Sequence, residues 1–168
     1  MAKKGNKQAG QQVSDEVQIA RNRRVHHDYE VLKTWVCGMV LSGSEVKSLR
    51  AGDVQWGDAH ARLDDRGELW LYGLWVGDYR HAAGTLGHLN TQRRKLLLHR
   101  RELDAIAGQL RNPGLSLIPT RLYFKGGWAK IDLALGRGRK KGDKRHALAE
   151  RARRRDTERE LARRARGR

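Results

Sequence analysis

The chain has 168 residues and a formal net charge of +17, because 36 Lys and Arg stand against 19 Asp and Glu. This length suits one domain of ordinary size, and so basic a composition indicates a polyanionic partner. The single cysteine excludes an intramolecular disulfide and a Cys-rich zinc site, and no segment approaches the roughly 20 apolar residues of a membrane span.

The positive charge is concentrated at the two ends of the chain. Residues 137–168 carry a net charge of +10, whereas the 110 residues before them, 27–136, carry only +3. We therefore predict a flexible basic arm over residues 1–20, a globular domain over residues 21–136 and a basic tail over residues 137–168. A nucleic acid is the leading candidate partner.

An anionic membrane surface is the alternative polyanion, but the tail has too few large apolar residues to anchor an interfacial helix. The polar N-terminal segment MAKKGNKQAGQQ contains no apolar stretch of the kind found in secretory signals. We expect a cytoplasmic protein without a membrane partner.

The first element predicted in the domain is a strand. Residues 28–41, DYEVLKTWVCGMVL, alternate and then become continuously apolar, and Cys37 in that run is predicted to be a buried, unreactive thiol. A short helix follows, because Ser42 and Glu45 have the spacing of a capping box and Gly52 can end the helix in a left-handed conformation. If Glu45 acts only as a cap, Glu45→Gln should have near-normal stability, whereas Glu45→Ala should lose about 1 kcal/mol.

Two hairpins and a long helix complete the predicted domain. Residues 59–76 form the first hairpin around a turn ending at Gly67, with Trp70, Tyr72 and Trp75 in its second strand. Residues 91–110 have apolar residues at helical spacing and are predicted to form one long helix capped by Thr91.

The second hairpin, residues 115–136, turns at Gly126-Gly127, and Pro119 predicts that its first strand is bulged or at an edge. Five or six short strands with a helix indicate a mainly β fold, a small closed or partly open barrel. The tail after it favours helix by propensity but has almost no apolar face, so we expect it to be intrinsically disordered alone and to become helical when phosphates of a bound polyanion neutralise its cations.

The search for catalytic chemistry finds little. No HExxH, GxSxG or phosphate-binding glycine loop is present. His26-His27-Asp28 is predicted to lie in a strand, where adjacent side chains point to opposite faces and cannot bind one metal ion. Asp64-Asp65 is interpreted as part of a turn. We predict no enzyme activity, no metal and no cofactor, with a metal-dependent nuclease kept as the less favoured alternative.

Basic residues are the stronger signal. The tract GRGRKKGDKR, residues 136–145, combines flexible glycines with cations, as in segments that order along phosphates, although many basic tails are only solvated. The predicted long helix carries further cations on its solvent face. Tyr123 and Trp128 are candidate base-stacking rings, with burial in the core as the alternative.

Several blocks occur together in one order: DYEV, GSEVKSLRAG, RKLLLHRREL, LYFKGGWAKI and GRGRKKGDKR. In these blocks, from residue 22 to residue 145, the chain resembles the SmpB family. The resemblance implies an OB-like β-barrel with accessory helices and a C-terminal tail. It also implies a protein that binds the tRNA-like domain of tmRNA and brings it to the A site of stalled ribosomes, as a monomer on the RNA. Bound to the ribosome, the tail is expected to be helical. A structural ribosomal protein or another basic RNA-binding protein is the alternative.

The resemblance also implies two sets of contact residues. For tmRNA, the candidates are Arg24, His27, Lys47, Arg50, Arg94, Lys95, Leu97, His99, Arg100, Tyr123 and Lys125. For the ribosomal decoding centre and mRNA path, the candidates are Arg137, Arg139, Lys140, Lys141, Asp143, Lys144 and Arg145.

The chain departs from the family pattern at three informative positions. Val36 stands where an acid is common, and Gly142 and Arg153 stand where ring side chains are common. An RNA contact by that acid and stacking by those tail rings are therefore not expected here. Glu45 could cap its helix or contact RNA, and we favour the cap.

Overall fold

The structure is a computed structural model that describes residues 16–78 and 88–139. The described residues are mainly β, as predicted, with three helices. The elements are β1 (Glu16–Arg21), α1 (Val25–Asp28), β2 (Tyr29–Met39), α2 (Gly43–Arg50), β3 (Val54–Gln55), β4 (His60–Leu63), β5 (Leu69–Tyr72), β6 (Trp75–Val76), β7 (Arg94–Leu97), α3 (Arg100–Leu110), β8 (Leu115–Lys125) and β9 (Trp128–Gly138).

Six antiparallel strands close into a barrel. The sheet order is β1-β8-β4-β5-β7-β2-β9, and β9 also pairs with β8 along its whole length, which closes the circuit. One edge of β8 is shared, because β4 pairs with it at Leu117 while β1 pairs with it from Arg121 to Lys125. Closure satisfies backbone groups that an open sheet would leave exposed at its edges. The short strands β3 and β6 pair with each other in a separate two-stranded sheet.

The barrel interior is filled by alternate residues of its strands. Leu69 and Leu71 of β5 and Ile131 and Leu133 of β9 are fully buried, in one cluster with residues from α2 and α3. Cys37 lies in this core, as predicted. Burial, together with the nearby acids Glu102 and Asp132, raises the pKa of its thiol to about 12, so the unreactive thiol form predominates.

Both predicted hairpins are present, and glycine supplies the left-handed turn positions. Gly126 and Gly127 have φ of 55° and 81°, and Gly67 has φ of 72°. The pairing of β8 with β9 shifts register between Pro119 and Arg121, which is the predicted bulge. The first hairpin is shorter than predicted, because the chain turns at residue 73 and Trp75 begins the separate strand β6.

The predicted arm over residues 1–20 is corrected at its end. Residues 16–21 form β1, in which Val17 pairs with Phe124 of β8. The strand has only six residues, of which three are polar, so its sequence carries a weak signal, and it forms by pairing with the part of β8 that β4 leaves open. The predicted tail start is corrected too, because β9 continues to Gly138.

The predicted long helix over residues 91–110 is wrong in its first half. Residues 94–97 form β7, and the helix α3 begins only at Arg100, where the His99 backbone N–H donates to Glu102 Oε2 at 3.1 Å. Leu96 pairs with both Leu69 of β5 and Met39 of β2. Residues 94–97 lie between β5 and β2, and pairing with these two strands overrides the helical spacing of the apolar residues.

Residues 25–28 are also corrected, since His26 and His27 lie in the short helix α1 and not in a strand. Within the part of the chain that the structure describes, no helix is long and apolar enough to cross a membrane. The predicted disorder of the tail concerns residues 140–168, which lie outside the described residues.

Candidate nucleic-acid interface

The capping box predicted at α2 is present and forms part of a buried ion-pair network. The Ser42 backbone N–H donates to Glu45 Oε2 at 2.8 Å, and the Glu45 N–H donates to Ser42 Oγ at 3.4 Å. The other carboxylate oxygen, Oε1, accepts from Arg94 Nε at 2.7 Å and from Gln92 Nε2 at 2.8 Å. Glu45 and Arg94 are each only 2% exposed. Glu45 is therefore a cap that also neutralises a buried arginine.

Arg94 is predicted as an RNA contact, and the structure corrects this. Its Nη1 donates to the carbonyl oxygens of Leu74 at 2.7 Å and Gln92 at 3.0 Å, and its Nη2 donates to the Asn90 carbonyl at 3.1 Å. In β7, alternation turns Arg94 and Leu96 inward, whereas a helix would have presented the arginine to solvent. The guanidinium joins α2 to two loops and does not reach the surface.

The ionisation of Glu45 reflects these contacts. Burial by itself raises the pKa of the carboxyl, but hydrogen bonds from Ser42 and Gln92 and the guanidinium of Arg94 outweigh it and leave the pKa below its ordinary value. The carboxylate is thus charged at neutral pH and turned into the protein. This geometry favours the capping interpretation over an RNA contact.

The helix that Glu45 caps presents cations to solvent. Lys47 and Arg50, both candidates from the sequence, lie exposed on α2. The Arg50 guanidinium carbon lies 5.4 Å from the ring centroid of Phe124 in β8, a cation–π contact that restrains the side chain against the barrel. Gly52, with φ of 78°, follows the helix as predicted.

The first candidates, Arg24 and His27, lie at α1. Arg24 is exposed at the helix N-terminus, and His27 is half-buried with its Nδ1 3.0 Å from Asp28 Oδ1. Arg24 also lines an open cleft of about 1330 Å³. The other arginines that line it are Arg21, Arg23, Arg62 and Arg111.

The candidates in the block around β7 lie on its outer side. Leu97 is 51% exposed, and His99 is exposed between β7 and α3. Lys95 is half-buried and forms an ion pair with Glu68, while exposed Arg100 pairs with Asp104 at 3.2 Å. Surface ion pairs of this kind contribute little stability, so these cations remain able to exchange partners.

Tyr123 is the second candidate that the structure corrects. Only 3% of Tyr123 is exposed, so burial leaves its ring no face for base stacking; the Arg121 guanidinium carbon lies 4.2 Å from the ring centroid. Burial, with a smaller contribution from Asp132, raises the pKa of its hydroxyl. Trp128, the other candidate ring, is 76% exposed, and Lys125 beside it is exposed as well.

The tail candidates divide at residue 139. Arg137 is exposed in β9, and Arg139 is half-buried with its backbone N–H donating to the Asp28 carbonyl at 2.9 Å. The remaining candidates lie outside the described residues: Lys140, Lys141, Asp143, Lys144 and Arg145.

Sequence reasoning missed the role of Gln92 and Arg94 in fixing α2. The only available signal was an arginine at an inward position of an alternating segment, and the helical interpretation of residues 91–110 concealed it. No group of three or more His, Cys, Asp or Glu side chains in residues 16–78 and 88–139 is placed to hold a metal ion.

A small antiparallel barrel with exposed cations on its helices belongs to a class of folds, the OB-like barrels, in which many proteins bind oligonucleotides. The SmpB protein family model matches residues 19–163. The chain belongs to the SmpB family.

Proteins similar to this chain match it over most of its length. An SsrA-binding protein of Parafrankia sp. (strain EAN1pec) is 48% identical and covers 89% of this chain and 94% of its own length. One from Mycobacterium sp. (strain KMS) is 46% identical over 99% of this chain and 98% of its own. A solved structure described as "tmRNA-SmpB: a journey to the center of the bacterial ribosome" is 41% identical, with a TM-score of 0.61, and covers 77% of this chain and 93% of that chain.

Proposed function

We propose that this protein binds the tRNA-like domain of tmRNA and delivers it to the A site of stalled ribosomes for trans-translation. The observation that carries the proposal is the family match over residues 19–163. Relatives that are almost half identical to this chain are SsrA-binding proteins, and the similar solved structure is of tmRNA–SmpB and the bacterial ribosome. The protein acts as an adaptor in the cytoplasm, without catalysis or a cofactor, and is monomeric on the RNA.

The surface proposed to contact tmRNA consists of the candidates that remain accessible. They are Arg24, His27, Lys47, Arg50, Lys95, Leu97, His99, Arg100 and Lys125. Arg94 and Tyr123 are buried and are not part of this surface; they stabilise the fold that presents it. Cations on helices and strands can hold phosphates at fixed spacing, which favours a shaped RNA over a flexible single strand.

The tail is proposed to contact the ribosome and to begin after residue 139. Because Arg137 pairs with Leu115 and the Arg139 N–H is bonded to α1, both residues belong to the barrel. We therefore assign residues 140–168 to the tail.

The test is to isolate the RNA that co-purifies with the native protein and to compare binding of a tRNA-like RNA with that of random single strands. We expect one predominant structured RNA and a clear preference for the tRNA-like RNA at moderate salt, where non-specific phosphate contacts are screened. Equal binding of both RNAs would contradict the proposal. Constant stoichiometry with a ribosomal subunit would instead indicate a structural ribosomal protein, and RNA cleavage that depends on divalent ions would indicate a nuclease.

A further inference from the structure

The outer face of β4 and β5 carries aromatic and basic side chains. In β5, Leu69 and Leu71 point into the barrel, so Trp70 and Tyr72 lie on the outside, both half-buried. In β4, Ala61 points inward, and His60 and Arg62 lie on the same outer face. The register places His60 opposite Tyr72 and Arg62 opposite Trp70.

These side chains form two stacked pairs. The His60 and Tyr72 rings have centroids 5.7 Å apart and planes inclined by only 18°. The guanidinium carbon of exposed Arg93 lies 4.6 Å from the Trp70 ring centroid. Trp70 is held in place, because its Nε1–H donates to Asp64 Oδ2 at 3.0 Å. The rings are thus fixed on rigid strands while part of each remains open to solvent.

Two arginines flank the rings, while the Asp64 carboxylate lies at the edge of Trp70. Arg62 and Arg93 are exposed on this face, and the neighbouring acid Glu68 is already paired with Lys95. His60 and Arg62 also line the cleft that contains Arg21 and Arg23. The aspartates Asp28, Asp58, Asp64 and Asp65 also line the cleft, so the cations that can meet phosphates there include the exposed arginines Arg21, Arg23 and Arg62.

We propose that His60, Arg62, Trp70, Tyr72 and Arg93 form a base-stacking platform for unpaired RNA nucleotides. Aromatic rings and arginine planes stack on any base, and nearby cations hold the phosphates. The bases of a single strand of a few nucleotides stack on the two pairs and so lengthen each stack. None of these five residues belongs to the surface proposed for the tRNA-like domain, but Lys95 of that surface pairs with Trp70, so the platform is an additional RNA site that adjoins it.

The first experiment locates the contact by photocrosslinking. The probe is a six-nucleotide single-stranded RNA containing 5-iodouridine, which crosslinks to stacked aromatic rings, incubated with the full-length protein. The tail cannot give such crosslinks through Trp, Tyr or Phe, because residues 137–168 contain none of them. We expect crosslinks at Trp70 and Tyr72. Crosslinks confined to other rings, or none at all, would overturn the platform.

The second experiment measures affinity for the same hexamer at about 0.3 M salt, where tail contacts are weakened. Tyr72→Leu should weaken binding about tenfold, whereas Tyr72→Phe, which keeps the ring, should bind within about twofold. Trp128→Leu is the matched control, because it removes an exposed ring of the β8–β9 hairpin that is not part of the platform, and it should also bind within about twofold.

Binding of tRNA-like RNA distinguishes the platform from the proposed function. Tyr72→Leu should leave that binding unchanged, and this result also shows that the variant is folded. Equal hexamer affinity for Tyr72→Leu and Tyr72→Phe would refute the platform and leave tmRNA binding untouched. Loss of tRNA-like RNA binding by folded Tyr72→Leu would also refute it, because the ring would then belong to the tRNA-like-domain surface.

Discussion

Replacing Glu45 by glutamine tests whether the buried ion pair or the helix cap dominates the stability of this region. The substitution retains a side-chain oxygen that can accept the Ser42 N–H, but it removes the negative charge beside Arg94. The guanidinium is then buried with only carbonyl acceptors, from Leu74, Gln92 and Asn90. The sequence alone predicts a near-neutral change, whereas the structure predicts a large one.

The magnitude follows from the two contributions. Removing one partner of a buried ion pair typically costs 3–5 kcal/mol, so with three carbonyl acceptors remaining we expect a loss of about 3 kcal/mol. A cap lost entirely would cost only about 1 kcal/mol. The charge therefore accounts for most of the effect.

Glu102→Gln is the matched control. Glu102 accepts the His99 N–H at 3.1 Å at the start of α3, as Glu45 does at α2, but this hydrogen bond is exposed. We expect Glu102→Gln to change the free energy of unfolding by less than about 0.5 kcal/mol. Urea unfolding followed by circular dichroism measures both variants. Equal small losses for Glu45→Gln and Glu102→Gln would show that the ion pair contributes nothing and refute the reasoning.

Three further outcomes are expected. Because the pKa of Glu45 is lowered in the folded protein, its contribution is complete above the unfolded pKa of about 4.3 and is lost as pH falls through the folded pKa, so acid titrations of stability should show a component that Glu45→Gln lacks. Deleting residues 140–168 should leave binding of tRNA-like RNA within about tenfold in filter-binding assays, yet abolish peptide tagging on stalled ribosomes; loss of specific RNA binding would show that the barrel is not the shaped surface. Arg50→Gln should weaken tmRNA binding and reduce the slope of log affinity against log salt by about 1, and an unchanged slope would remove Arg50 from the phosphate contacts.

Local chemistry could be predicted from sequence. The capping box joins residues three apart, and the Gly126-Gly127 turn and the bulge at Pro119 depend on the backbone preferences of single residues. Such features require no knowledge of the rest of the chain, because their partners lie within one turn of each other. Burial of Cys37 followed equally from its apolar neighbours.

Long-range pairing decided the rest. The strand β7 exists because β5 and β2 lie on either side of it, although its residues have helical spacing, and β1 exists because β8 has an open edge. Glu45 and Arg94 are 49 residues apart in the chain. The residues around Glu45 indicated a helix cap and those around Arg94 indicated an exposed helix, and neither pattern showed that the two side chains pair. The family, the barrel class and the local turns and caps could all be inferred from residue types and their spacing. Which cations reach the surface and which one is buried depended on the tertiary fold, because closing the barrel sets the inward face of every strand.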